Sequence, residues 1–242
     1  MNDLSAYRYI ADNLAAVRER LAAAALRGGY PVPKLIAVTK SASDDEVRAL
    51  LELGVGAIAE NRAQLFRERA DIIDARPRRE GEAPPEIHLI GSLQTNKVKY
   101  VVGRAATVQS LDSQRLAEAL EAQAVKRGVT VPVLIEVNSG REEQKGGLMP
   151  EEVTAFAESL REYPHLLPLG LMTMGPDCEE PEGYRPYFRL VRELAESLSE
   201  RALLPAHPYL SMGMSGSYEI AAEEGATHVR VGRTLFVRHE TD

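Results

Sequence analysis

The chain has one cysteine, Cys178, which excludes an internal disulfide and leaves no cysteine-based metal cluster. No stretch reaches about 18 consecutive apolar residues, the length a membrane-spanning helix needs. The opening segment MNDLSAYRYIADNLAAVRERLAAAAL interleaves charges with apolar residues and lacks the pattern of a signal peptide, so a cytoplasmic location is expected. The five histidines, His88, His165, His207, His228 and His239, stand far apart and include no close pair of the zinc-peptidase kind, so no metal site is expected. A net charge of -7 argues against a broad nucleic-acid surface, for which only TNKVKY and Arg104 offer basic support. Lysine is scarce as well, with six lysines against twenty-three arginines among the 29 cationic residues. Each lysine therefore needs a reason, and Lys40 most of all.

What is present fits a globular α/β protein. At 242 residues, with 44% hydrophobic and 27% charged residues, the chain can bury a full core, and an α/β barrel uses about this much chain for one domain, here residues 1–242. An opening helix is expected from Ser5 to Leu26, because Tyr7, Ile10, Leu14, Val17, Leu21 and Ala25 recur every three or four residues; RGGYPVP stops it. Short apolar runs then alternate with amphipathic stretches. Strands are expected at Lys34 to Thr39, Val55 to Ala59, Glu86 to Ile90, Ala106 to Gln109, Pro132 to Val137, Leu166 to Leu171, Tyr209 to Met212 and Thr227 to Val231. Eight strands with intervening crossovers predict a single (β/α)8 TIM-type barrel with an additional N-terminal helix, an open doubly wound sheet being the alternative. Ser43 or Asp44 is placed to cap the helix of DDEVRALLELG and Gly54 to end it, while RPRREGEAPPE reads as a surface loop.

A barrel of this kind carries its active site at the carboxyl ends of the strands. In KLIAVTK, alternation puts Ile36, Val38 and Lys40 on one side of the first strand, so an axis-facing Val38 places the Lys40 amine over the mouth. A solvated strand-end lysine is the plain alternative. After the seventh strand, SMGMSGS supplies Gly213, Ser215, Gly216 and Ser217, and after the eighth come Gly232, Arg233 and Thr234. Small residues and hydroxyls in turns after strands seven and eight suit an anion such as phosphate, although the spacing is neither that of a P-loop nor that of a dinucleotide fingerprint. Arg230 interrupts an otherwise apolar strand and needs partners there, from a ligand or from an internal salt bridge. A lysine, an intrastrand arginine and two anion turns together suit an aldehyde bearing a phosphate. Pyridoxal 5'-phosphate fits all three; a sugar-phosphate aldolase using a lysine imine leaves Arg230 unexplained.

The segments LIAVTK, AENRAQ, IHLIGSLQTNKVK, VQSLDSQRLAEAL, VLIEVNSGREEQKGG, LGLMTM and LSMGMSGSYEIAAEEGATHVRVGRTLF span almost the whole chain. They resemble the pyridoxal phosphate homeostasis protein family, whose members look like the barrel of the fold-type III pyridoxal-phosphate enzymes. The resemblance implies Lys40 as the Schiff-base lysine, Ser211, Gly213, Ser215 and the Gly232, Arg233, Thr234 turn at the phosphate, Arg230 facing the pyridine nitrogen, and Asn61 near the ring with Glu60 beside it. It implies a monomeric carrier or buffer of the cofactor, acting on vitamin B6 and amino-acid pools and able to meet apo-enzymes, without catalytic turnover; a slow amino-acid racemase is the alternative. The chain departs from the family pattern at Ala59, where a glycine is common, at EQKGG in place of SKSG, and in its FVRHETD ending. The last expected strand ends near Val231, too late for the second domain that fold-type III racemases add. Tyr209 and Tyr218 have no spacing that casts either as a missing base.

Overall fold

The computed structural model describes residues 5–77, 81 and 83–238. His239, the end of FVRHETD and residues 78–80 and 82 of the RPRREGEAPPE loop lie outside the described residues. Eight parallel strands close into a barrel in chain order, β8 pairing back onto β1. They are β1 (Lys34–Val38), β2 (Ala57–Glu60), β3 (Glu86–Leu89), β4 (Thr107–Leu111), β5 (Val131–Glu136), β6 (Leu166–Met172), β7 (Tyr209–Ser211) and β8 (His228–Val231). The helices are α1 (Arg8–Gly28), α2 (Asp44–Glu52), α3 (Ala63–Ala75), α4 (Gln114–Arg127), α5 (Val153–Ser159), α6 (Arg185–Glu200), α7 (Tyr218–Glu223) and α8 (Arg233–Phe236). The closed order excludes the open sheet.

Local chemistry accounts for the joints. Helix α1 starts at Arg8, after a 3-10 turn at Ser5–Tyr7, and ends where Gly29 takes φ 72° and its N–H reaches the carbonyls of Ala25 and Leu26. Its buried stripe keeps Ile10, Leu14, Val17, Leu21 and Ala25, with Tyr9 in the place expected for Tyr7. Ser43 caps α2 through a reciprocal box, its hydroxyl accepting from the Glu46 N–H at 3.2 Å while its own N–H donates to the Glu46 carboxylate at 2.7 Å. The β3–β4 crossover is a 3-10 turn, Thr95–Tyr100, rather than an α-helix. Its apolar residues Val98, Val101 and Val102 are β-branched, poor helix formers that nonetheless bury well in the main core.

Strand parity divides the sheet into two faces. Ala37, Ile58, Leu89, Val133 and Val229 pack outward against the helices in the main core. Ile36, Val38, Ala57 and Ala59 form a separate apolar cluster inside the barrel, with Ile90 against it. Ile36 is fully buried, so its truncation to alanine costs about 2–5 kcal/mol. Much of the rest of the interior is polar, with His88, Thr107, Gln109, Ser211, His228 and Arg230 all buried beside Leu134 and Met172. That is an unusual filling for a barrel normally packed with branched aliphatic residues.

Candidate functional site at the barrel mouth

Lys40 lies two residues beyond Val38, on the exposed rim, and among the described residues no carboxylate pairs with its amine. Its neighbour Thr39 is fully buried and donates to Glu60 at 2.5 Å. Glu60 faces the helices rather than the barrel axis: Arg69 on α3 approaches its carboxylate at 3.5 Å and also binds the Ala42 carbonyl and Asp44. Burial raises the Glu60 pKa, opposed by the Thr39 hydroxyl and Arg69. Glu60 therefore tethers the end of β1, and so the base of Lys40, from outside. Asn61 follows it onto the rim, where its backbone packs so closely against Gly91 that a Cβ there would lie 2.3 Å from the Asn61 carbonyl oxygen.

The two turns after β7 and β8 meet at one hydroxyl. Ser215 Oγ accepts from the N–H of Gly232 and from that of Thr234, both at 3.4 Å, so these donors already converge on a single oxygen. Gly213 takes φ +87°, and a Cβ on it would come within 2.4 Å of the Ala221 Cβ in α7. Its glycine is thus required by the protein's own packing as well as by any anion's approach. Arg233 is exposed, and with Thr234 it also borders a groove against α1 that includes Ala16 and Arg20.

Arg230 projects into the barrel from β8 and is 3% exposed. Its Nη1 donates to Ser211 Oγ at 2.7 Å and its Nη2 to the Thr173 carbonyl at 2.8 Å. No carboxylate forms an ion pair with it among the described residues; burial lowers its pKa to about 10, with Glu136 acting from a distance to raise it. A guanidinium only donates, which sets the direction of the bond to Ser211. Ser211 must accept from Arg230, so its own proton goes to Gln109 Oε1 at 2.6 Å. Gln109 then donates through Nε2 to Thr107 Oγ1 at 3.2 Å, and Thr107 Oγ1 is hydrogen-bonded to His88 Nδ1 at 2.8 Å. His88 Nε2 lies 3.1 Å from Glu86, which Lys34 also binds at the barrel base.

This chain of bonds corrects one expectation. Ser211 is fully buried with its proton committed to Gln109, so its side chain orients Arg230 instead of donating to a phosphate. Tyr209 lies at the opposite end of β7 from the mouth, its ring 4.4 Å from that of His228, and Tyr218 is buried at the start of α7.

Glu136, at the end of β5, was not singled out from the sequence. It is 9% exposed and borders a mouth cavity together with Ser92, Ser139 and Lys145. Burial, reinforced by Asp112 and opposed by Arg230, pushes its carboxyl up to about 7. The signal that marked Arg230, a charged residue interrupting an apolar run, is equally present in VLIEVN.

The model of the family described as alanine racemase, N-terminal domain, matches residues 10–239. A pyridoxal phosphate homeostasis protein of Aquifex aeolicus is 41% identical over 227 residues, covering 93% of this chain and 96% of that protein. The solved structure of PipY from Synechococcus elongatus PCC7942, with PLP bound, aligns with a TM-score of 0.80 at 28% identity over 94% of this chain and 100% of that one. Alanine racemase of Clostridium difficile 630 shares the fold, with a TM-score of 0.76 at 16% identity; the match takes in 97% of this chain and 58% of the racemase.

Proposed function

The chain belongs to the pyridoxal phosphate homeostasis protein family, and we propose that it holds pyridoxal 5'-phosphate at the barrel mouth, as a carrier or buffer of the cofactor and not as a turnover enzyme. One arrangement carries the reading: an unpaired lysine and a pair of converging N–H groups stand on neighbouring strand ends, with a buried arginine between them. β1 and β8 pair with Ile36 opposite Arg230, so Lys40 and the Gly232 turn share one edge of the mouth. Lys40 would supply the amine that joins the aldehyde as a Schiff base. The N–H groups of Gly232 and Thr234, with Ser215, Gly213 and Arg233, would hold the phosphate. Arg230 would face the pyridine nitrogen, and Asn61 would border the ring.

Bound pyridoxal phosphate supplies an electrophilic carbon and a ring that can withdraw electrons when its nitrogen is protonated. A buried cation at that nitrogen disfavours the protonation and weakens the withdrawal. The homeostasis protein of Aquifex aeolicus is matched over 96% of its length and the racemase over 58%, so this barrel aligns with the whole of the first and with part of the second. Among the described residues no helix is long and apolar enough to cross a membrane, in keeping with a carrier that meets apo-enzymes in the cytoplasm. The test is to load the purified protein, offer it individual L- and D-amino acids with chiral separation of products, and follow cofactor transfer to an apo-enzyme in parallel. Transfer without racemisation is the expected result. Repeated turnover dependent on Lys40 would replace the carrier reading with that of a slow racemase.

A further inference from the structure

Across the mouth from the β8 turn, the ends of β3, β5 and β6 enclose a cavity of ≈ 250 Å³, the share of about eight water molecules. Glu136 borders it while nine-tenths buried, and among the described residues no N–H or hydroxyl donates to its carboxylate. A carboxylate this buried has lost much of its hydration and gains from a donor that a ligand brings. Gly146 forms part of the wall, and the point where its Cβ would sit lies 3.7 Å from Asp112 Oδ2 and 3.8 Å from each carboxylate oxygen of Glu136. Three acidic oxygens thus face one small volume above a residue that has no side chain to fill it.

The cations nearby are engaged elsewhere. Lys145 is turned to Glu142 at 2.6 Å, to the Gly175 carbonyl at 3.1 Å and to Asp177 at 3.6 Å. Arg230 has its Nη1 and Nη2 groups on Ser211 and Thr173. Burial and the neighbouring Asp112 hold the Glu136 carboxyl near 7, the response of an acid that lacks a close counter-charge. We propose that this cavity binds a protonated primary amine, its ammonium seated over Gly146 between Glu136 and Asp112. An ammonium brings three donors to the acidic oxygens that flank Gly146, and the Glu136 carboxylate can accept the proton an ammonium sheds on becoming a nucleophile. The proposal deepens the carrier reading by naming a second occupant of the mouth, an amine able to compete with Lys40 for an aldehyde.

The experiment uses the full-length chain with Lys40→Ala and no added pyridoxal phosphate, so its outcome is independent of the carrier reading. Propylamine is titrated while amide chemical shifts of Gly146 and Gly147 are recorded, with L-alanine, propionate and magnesium chloride in parallel arms. Saturable shifts with propylamine and none with propionate are expected. Glu136→Gln should weaken propylamine binding at least tenfold. So should Gly146→Ala, which fills the volume and leaves both acids in place, and which keeps the test usable if Glu136→Gln folds poorly. L-Alanine binding as tightly as propylamine would identify an amino acid as the source of the amine; weaker binding would identify an alkylamine, and both orders support the site. Equal propylamine affinity with and without Glu136, or shifts produced by magnesium alone, would overturn the proposal.

Discussion

The β7–β8 side of the barrel mouth and the β4–β5 side both bury a charge, and they treat it in opposite ways. Arg230 is held by Ser211 and the Thr173 carbonyl, with Gln109, Thr107 and His88 bonded in series behind them. Glu136 is buried almost as deeply but receives no such bond, and Asp112 adds to its discomfort. The first charge is fixed in place before any ligand arrives; the second is left for a ligand or a proton to neutralise. A preorganised cation and an unsatisfied acid on one rim give a ligand a defined orientation, anionic end towards β8 and cationic end towards β5.

That contrast can be broken from several directions. The largest effect is expected at Lys40, whose amine stands on the β8 side. After borohydride reduction of the loaded protein, pyridoxyl mass should lie on the peptide containing Lys40 and vanish entirely in Lys40→Ala. Label on Lys97, Lys99 or Lys145 would move the attachment point away from the anion turns.

Glu136→Gln comes next, as a change in stability. The carboxyl sits at about 7 in the folded protein against an ordinary value of 4.5, so folding disfavours its charged form. The penalty is absent below about pH 4.5, grows as pH rises to about 7 and is constant above it, at about 3 kcal/mol. Denaturant unfolding should therefore find Glu136→Gln more stable than the parent at pH 8, with the gain shrinking towards pH 4.5. A gain independent of pH would mean that the acid is not the source.

On the opposite side, Ser215→Ala removes the hydroxyl on which the Gly232 and Thr234 N–H groups converge. Losing one charge-assisted hydrogen bond costs about 1.5–3 kcal/mol, or roughly 10- to 150-fold in affinity for the phosphorylated ligand. Pyridoxal without phosphate should bind equally to both proteins. The smallest effect is expected at Gln109→Leu, which leaves the Ser211 proton without an acceptor and costs about 1–3 kcal/mol of stability. Combining it with Ser211→Ala should cost less than the sum of the two, since both break the same link.

Much of the barrel was legible in the chain because it rests on local rules. Alternating apolar runs and helical stripes set the eight strands within a few residues, and Ser43, Gly29 and Gly54 mark helix ends by side-chain and backbone chemistry that acts over one turn. Lys40, Arg230 and the two glycine–serine turns could be noticed for the same reason, as residues that break a local pattern. Periodicity also grouped Ile36, Val38 and Lys40 on one side of β1, and the interior cluster of Ile36 and Val38 with Ala57 and Ala59 turns that side to the axis.

The partners of those residues had to wait for closure of the barrel. Ser211 and Gln109 are 102 residues apart in the chain, and nothing within β4 or β7 indicates that their side chains meet. Only their meeting shows that the Ser211 hydroxyl serves Arg230, because the direction of a hydrogen bond depends on which donors and acceptors surround it in space. Glu136 makes the same point for charge. Its place in an apolar strand was visible, but its state depends on burial and on the distances to Asp112 and Arg230, quantities that exist only once the strands are side by side.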